Sequence, residues 1–472
     1  MSRTACNVGI AGLGTIGASL ALNIAEHGYS VAAYDNNEMS LGSLRLAIGG
    51  RSVEATNSLD EFYSLLEAPR TVMAFPPAEP RVERHIDALL PHLISGDLLI
   101  DAANSYFRDT NARSIMLADK GIEFLGVGIS GGEVGARRGS SIMPGGSSTA
   151  YERVRHLFQD IAAELNGEPC VAYLGPNSAG HYVRMVHNGI ELAVIQLIGE
   201  TYDLMSRGLG MSNPAIQEVF ADWYASEVSS YLLGVLARRL RDNNGGIGAT
   251  LFDLILDEAT PDGGACWASL EAKGLGVSTP TIDVAVAIKM LSSLEEGRTA
   301  LRNVLSRRPV RYLGKPALLI EQMKRALCAG IVVTFAQGLA LLAVASEAYK
   351  YYLALEDVTR IWRGSIIRSP ILQEICEAYY VQPQLPNLLA DSQFAHRVLS
   401  RRRDLRAVAE LAVKLSIPAP ALTASLAYYD DYTRLSPADL QNSGASDDSI
   451  VVHQQNAEDT ALLGRRLVGR VM

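Results

Sequence analysis

Four residues in one short segment have the types and the spacing for proton chemistry. His187, Asn188 and Glu191 lie three, four and seven residues beyond Arg184, so on a helix all four form one polar stripe. Val183, Val186 and Ile190 supply an apolar back that anchors the segment in a core. Polar groups gathered on a helix that is otherwise anchored in a core need partners, and packing alone gives little reason for them. Glu191 is the acid/base candidate, His187 a second proton carrier and Asn188 an orienting amide. Arg184 is a cation that cannot give up its proton near neutrality. A surface helix with chance spacing is the competing reading, and the stripe by itself does not decide between them.

The elements that position the stripe follow from periodicity. Over the first 175 residues, short β-rich runs at 8–11, 30–34, 71–75, 98–101 and 123–127 alternate with amphipathic stretches. That alternation predicts an α/β Rossmann domain, a doubly wound and mostly parallel sheet with helices on both faces. From about residue 179 to 434 the pattern is almost wholly helical, broken by Pro383 and Pro386 and by Pro418 and Pro420. The expected organisation is therefore an α/β domain over 1–178, an all-helical domain over 179–434, and a tail over 435–472.

Gly12-Leu-Gly14-Thr15-Ile16-Gly17 directly follows the first expected strand and opens a helix. In that context the glycines fit a dinucleotide fingerprint: Gly12 for the tight turn, Gly14 for backbone approach to a pyrophosphate, Gly17 for close helix–strand packing. The helix start offers free N–H groups to the anion. Asp35, about twenty residues on and followed by Asn36, is placed to bond the ribose hydroxyls and to repel a 2′-phosphate; the expectation is NAD in preference to NADP. Phe75, Pro76 and Asn104 complete the expected cofactor contacts.

Composition narrows the class. A net charge of −9 argues against nucleic acid as a partner. Five scattered cysteines without metal-ligand spacing imply a reducing cytoplasm and no bound metal. Residues 329–345 are apolar enough to resemble a membrane span, but the stretch is single and without the expected basic flanks, so a buried central helix is expected.

The chain resembles the 6-phosphogluconate dehydrogenase family, within the β-hydroxyacid dehydrogenases. The resemblance rests on the glycine fingerprint, on 100–110 around Asn104, on 128–146 with Ser130, Gly131 and Gly132, on 187–191, on 362–368 and on 427–432. It implies a homodimer whose C-terminal tail reaches the partner's site. It also implies that Asn104, Ser130, Gly131, Gly132, His187, Asn188 and Glu191 line the substrate and nicotinamide pocket.

Several positions depart from the family pattern. Arg184 stands where the family has its lysine base, and arginine can stabilise an oxyanion without accepting a proton. At the family's phosphate-binding positions this chain has Leu192 for a tyrosine, Asp262 for a lysine and Lys289 for an arginine; His453 aligns with the family's tail histidine. Loss of cations disfavours a phosphorylated substrate. The lead expectation is accordingly an NAD-dependent, redox-neutral dehydratase (a lyase) acting on a non-phosphorylated sugar or nucleoside, similar to the angustmycin-type branch of nucleoside-antibiotic biosynthesis. The alternatives are a decarboxylating 6-phosphogluconate or related sugar-acid dehydrogenase, and an inactive binding homologue.

Overall fold

The computed structural model describes residues 5–76, 81–242, 263–305 and 310–434. Asp262, His453 and the tail 435–472 lie outside the described residues. The N-terminal half is built on a seven-stranded sheet: β1 (Val8–Ala11), β2 (Val31–Tyr34), β3 (Val53–Thr56), β4 (Thr71–Ala74), β5 (Leu98–Asp101), β6 (Glu123–Ser130) and β7 (Ser141–Gly146). Their order across the sheet is β3-β2-β1-β4-β5-β6-β7. All neighbours are parallel except β7, which runs antiparallel to β6. The order reverses between β1 and β4, the switch point at which nucleotides bind in such sheets.

The five expected strands are present, and two more were not evident from the sequence. β3 reads Val-Glu-Ala-Thr with Glu54 exposed, a weak pattern that suits the sheet edge it occupies. β7 reads Ser-Ile-Met-Pro-Gly-Gly, which looks like a turn. As the last strand it tolerates Pro144, whose missing N–H would break a ladder inside the sheet. Separate apolar clusters cover the two faces of the sheet, one containing Ile10, Leu20 and Phe158 and the other Phe62, Leu99 and Phe124.

From Ala179 onward the described elements are helices around a third, larger core that includes Trp362, Phe335 and Leu197. Its axis is the 34-residue helix Pro316–Tyr349. This helix is long and apolar enough to cross a membrane, but 83% of its most apolar stretch is buried inside the protein. Thr334 and Gln337 are satisfied internally, Thr334 by the Gly330 carbonyl and Gln337 by Thr281.

The 25-residue helix Ala179–Asp203, the site helix below, joins the two halves. Its first turn lies directly on β6 and β7. A Cβ on Gly180 would fall 2.2 Å from the Met143 carbonyl oxygen and 2.4 Å from that of Gly126. One turn later a Cβ on Gly128 would fall 2.4 Å from the Arg184 Cβ. Glycine on the strands is what lets the polar stripe approach the sheet.

Candidate active site

The dinucleotide end is made of backbone. β1 ends at Ala11, Gly14 caps the helix Thr15–Glu26, and Thr15 and Ile16 form its first turn. Gly12 adopts φ +100°, and a Cβ there would strike the Phe75 carbonyl oxygen at 2.1 Å. A Cβ on Gly17 would strike the Gly12 carbonyl oxygen at 2.0 Å. Gly14 has nothing within 4 Å of a Cβ, so its outer side faces open space where a pyrophosphate could approach. The first turn's N–H groups point into the same space.

Asp35 accepts from Leu13 N at 2.6 Å through Oδ2 and from Asn37 N at 2.8 Å through Oδ1. Its carboxylate pins the glycine turn, and Asn36 lies between Asp35 and Asn37. Phe75 donates its N–H to the Ala11 carbonyl, and half-buried Pro76 follows it. Asn104, half-buried, lies on the loop after β5. That loop is held by buried Asp101, which accepts from Ser105 Oγ at 2.8 Å, Ala103 N at 3.1 Å and Arg113 Nη1 at 2.7 Å. His85, not singled out in the sequence, bonds the Ala11 carbonyl at 3.2 Å, at the end of β1.

The reacting end is made of side chains from the site helix. Arg184 Nη1 lies 2.7 Å from His187 Nδ1 and 3.8 Å from Glu191 Oε2. His187 Nδ1 is 3.6 Å from Glu191 Oε2. On its other side, His187 Nε2 is 3.3 Å from Ser130 Oγ at the end of β6. Gly131 and Gly132 follow Ser130 and turn the chain into the short helix Gly132–Arg138. Asn188 abuts Gly264, where an added Cβ would lie 2.5 Å from its Nδ2. Lys289, half-buried on the helix Pro280–Ser292, extends its field to Glu191.

Burial shapes the protonation of this cluster. Burial raises the Glu191 carboxyl to about 7, while Arg184 and Lys289 pull in the opposite direction. Burial, with the Arg184 charge, holds the His187 imidazole well below its ordinary range, so it is neutral. A group able to exchange a proton near pH 7 therefore sits beside a permanent cation.

Two contributors escaped the sequence reading because they arrive from more than 170 residues away. The fully buried Trp362 ring packs edge-on against His187, with centroids 5.6 Å apart. Ile366 N donates to Ser130 Oγ at 3.3 Å. Both belong to 362–368, a stretch quoted for its resemblance but given no role in the site. Arg368, a candidate phosphate partner by charge, stacks on the Tyr231 ring at 3.5 Å and donates to the Ser365 carbonyl.

Comparison with known proteins agrees with this architecture. Residues 7–175 match the family model for the NAD binding domain of 6-phosphogluconate dehydrogenase, and residues 180–444 match that for the 6-phosphogluconate dehydrogenase C-terminal domain. A Bacillus subtilis protein named "6-phosphogluconate dehydrogenase, NADP(+)-dependent, decarboxylating" is 41% identical over 92% of this chain and 93% of its own length. An Escherichia coli decarboxylating 6-phosphogluconate dehydrogenase is 39% identical over 92% of this chain and 93% of its own. The Plasmodium falciparum 6-phosphogluconate dehydrogenase, solved in its apo form and in complexes with its cofactor NADP+ and its substrate 6-phosphogluconate, superposes with a TM-score of 0.83. It is 34% identical, over 92% of this chain and 95% of that one.

These relatives overturn two expectations. The dehydratase reading, with its nucleoside substrate, is corrected by relatives named as decarboxylating dehydrogenases. It rested on the inability of Arg184 to accept a proton, on the lost phosphate-binding cations and on the NAD preference; Glu191, 3.8 Å from Arg184, can accept a proton. The preference for NAD is corrected by the NADP(+)-dependent relative and the NADP+-bound structure. It rested on Asp35 as a ribose ligand; in the fold each Asp35 oxygen accepts one backbone N–H, from Leu13 and from Asn37, so the carboxylate also serves to hold the glycine turn.

Proposed function

Because the chain belongs to the 6-phosphogluconate dehydrogenase family, we propose that it oxidises and decarboxylates 6-phosphogluconate with NADP. The observation that carries this reading is the placement of Glu191 and Arg184, side by side on one helix, next to the Ser130 end of the dinucleotide-binding sheet. When bound, the nicotinamide supplies the two-electron acceptor. Gly12, Gly14 and Gly17, with the helix start at Thr15 and Ile16, would hold the pyrophosphate. Asn104, Ser130, Gly131, Gly132 and Asn188 would orient the substrate hydroxyls and carboxylate. Glu191 would exchange protons with the substrate oxygen, with the Arg184 cation nearby. Lys289, whose charge reaches Glu191, would face the phosphate end of the substrate.

The same reading divides the chain into a nucleotide domain over 1–178, a helical domain over 179–434 and a tail over 435–472. It takes the working form as a cytoplasmic homodimer in which each tail completes the partner's site. The test is to supply purified protein with 6-phosphogluconate and NADP+, following nucleotide absorbance and carbon dioxide together. Equal amounts of reduced nucleotide and carbon dioxide are expected. Absence of both sinks the reading, and activity with gluconate but not its phosphate would move it to a sugar-acid dehydrogenase.

A further inference from the structure

Every ring nitrogen of His187 has a partner whose chemistry is fixed or readily satisfied. Arginine carries only donors, so the 2.7 Å contact from Arg184 Nη1 requires a lone pair on His187 Nδ1. A neutral imidazole with a bare Nδ1 carries its proton on Nε2, which then donates to Ser130 Oγ at 3.3 Å. Ser130 can accept it alongside the bond from Ile366 N, because a hydroxyl has two lone pairs, and its own hydrogen stays available. The Trp362 ring, packed edge-on, holds the imidazole plane. His187 thus has no vacant lone pair, and protonating it would set a second cation against Arg184 in a site without solvent exposure.

Glu191 is in the opposite position. Its nearest stripe partners, at 3.6 and 3.8 Å, lie beyond hydrogen-bond distance. It forms no hydrogen bond with the described residues, although it is only 5% exposed. We propose that Arg184 is a positioning residue that locks His187 as a neutral donor, leaving Glu191 as the single group that takes and returns the substrate proton.

This rests on the dehydrogenase reading above. In the oxidation, the substrate O–H bond breaks and its proton passes to a Glu191 carboxylate oxygen. The carbinol C–H bond breaks with both electrons going to the oxidised nicotinamide dinucleotide, and a ketone forms. In the decarboxylation, the C–C bond electrons become the enolate as carbon dioxide leaves. The proton held by Glu191 then returns to the substrate. Arg184 stays protonated throughout, which is how a site with arginine at this position can run the full sequence.

Two measurements test the assignment. With nitrogen-15-labelled histidine in the full-length protein, and His187→Gln to identify its signals, Nδ1 should be unprotonated and Nε2 protonated at neutral pH. Arg184→Met, which removes the donor, should free Nδ1 and let the proton redistribute between the two ring nitrogens, seen as a change in both nitrogen shifts. A protonated Nδ1 in the native protein overturns the Arg184 role. In single-turnover reduction of NADP+ by 6-phosphogluconate, Glu191→Gln should slow the first reduction about a thousandfold. Adding Arg184→Lys to that variant should recover at least tenfold, since lysine can accept a proton. Reduction by Glu191→Gln at the native rate overturns the Glu191 role. If the native protein oxidises no 6-phosphogluconate, the dehydrogenase reading fails, while the nitrogen measurement, which needs no substrate, still decides the positioning role.

Discussion

The two ends of the cleft are built from different materials. The dinucleotide end consists of main chain: Gly12 and Gly17 are there because nothing larger fits, and Gly14 because nothing stands in front of it. The reacting end consists of side chains projecting from one helix, held by Ser130, Trp362 and each other. The first depends on what is missing from residues, the second on what they carry. Substitutions at the two ends should accordingly fail in different ways, one by obstruction and the other by loss of chemistry.

The largest expected effect lies at the junction of the two ends. Gly180→Ala places a methyl against two carbonyl oxygens that belong to paired strands and cannot move aside. It should destabilise the protein by about 3 kcal/mol or more, read as a fall in the denaturant midpoint and in soluble yield. A variant with native stability would mean that the helix and sheet can separate.

Within the glycine fingerprint the comparison sharpens. Gly17→Ala should lower the melting temperature and nucleotide affinity together, since its methyl meets the Gly12 carbonyl. Gly14→Ala should leave melting of the free protein within about 1 °C of native, and weaken dinucleotide binding roughly tenfold or more, measured by calorimetry. Parallel losses in both variants would show that Gly14 does not face the nucleotide.

The smallest expected effect separates a buried carboxyl used for architecture from one used for chemistry. Glu200, also on the site helix, accepts from Ala421 N, Leu422 N and Gln196 Nε2, clamping the start of the helix Pro420–Tyr432. Burial raises it to about 7, as it does Glu191. A carboxyl whose folded value lies above its unfolded value binds its proton more tightly when folded. Its stabilising contribution is therefore complete below about 4.5 and is lost as pH rises through about 7. The native protein should lose several degrees of melting temperature between pH 5 and 8, and Glu200→Gln should lose less over the same range. Identical slopes would exclude Glu200 as a titrating clamp.

Much of this was legible in the sequence where the constraint is local. A glycine turn after a strand and a stripe at helical spacing follow from steric and periodic rules that operate within a few residues. Trp362 and Ile366 were not legible as partners of His187 and Ser130, because only the tertiary fold brings residues so distant together. β7 was hidden by Pro144 and its glycines, which an edge position permits. Asp35 was read only as a ribose acceptor, since nothing in a one-dimensional pattern shows that it also holds the glycine turn through Leu13 and Asn37. The dehydratase expectation gave a few substituted side chains too much weight: Glu191 was legible as an acid/base candidate, but the burial that brings it to about 7 was not.

Where the site helix crosses β6 and β7, main chain lies against main chain with no side chain between: a Cβ on Gly145 would fall 2.2 Å from Gly180 N. Such a seam is a weld, with no lever or spring in it. Arg184, His187 and Glu191 travel with the sheet as a fixed floor beneath any bound molecule. Any motion that carried these three side chains without the strands would have to bend the helix itself.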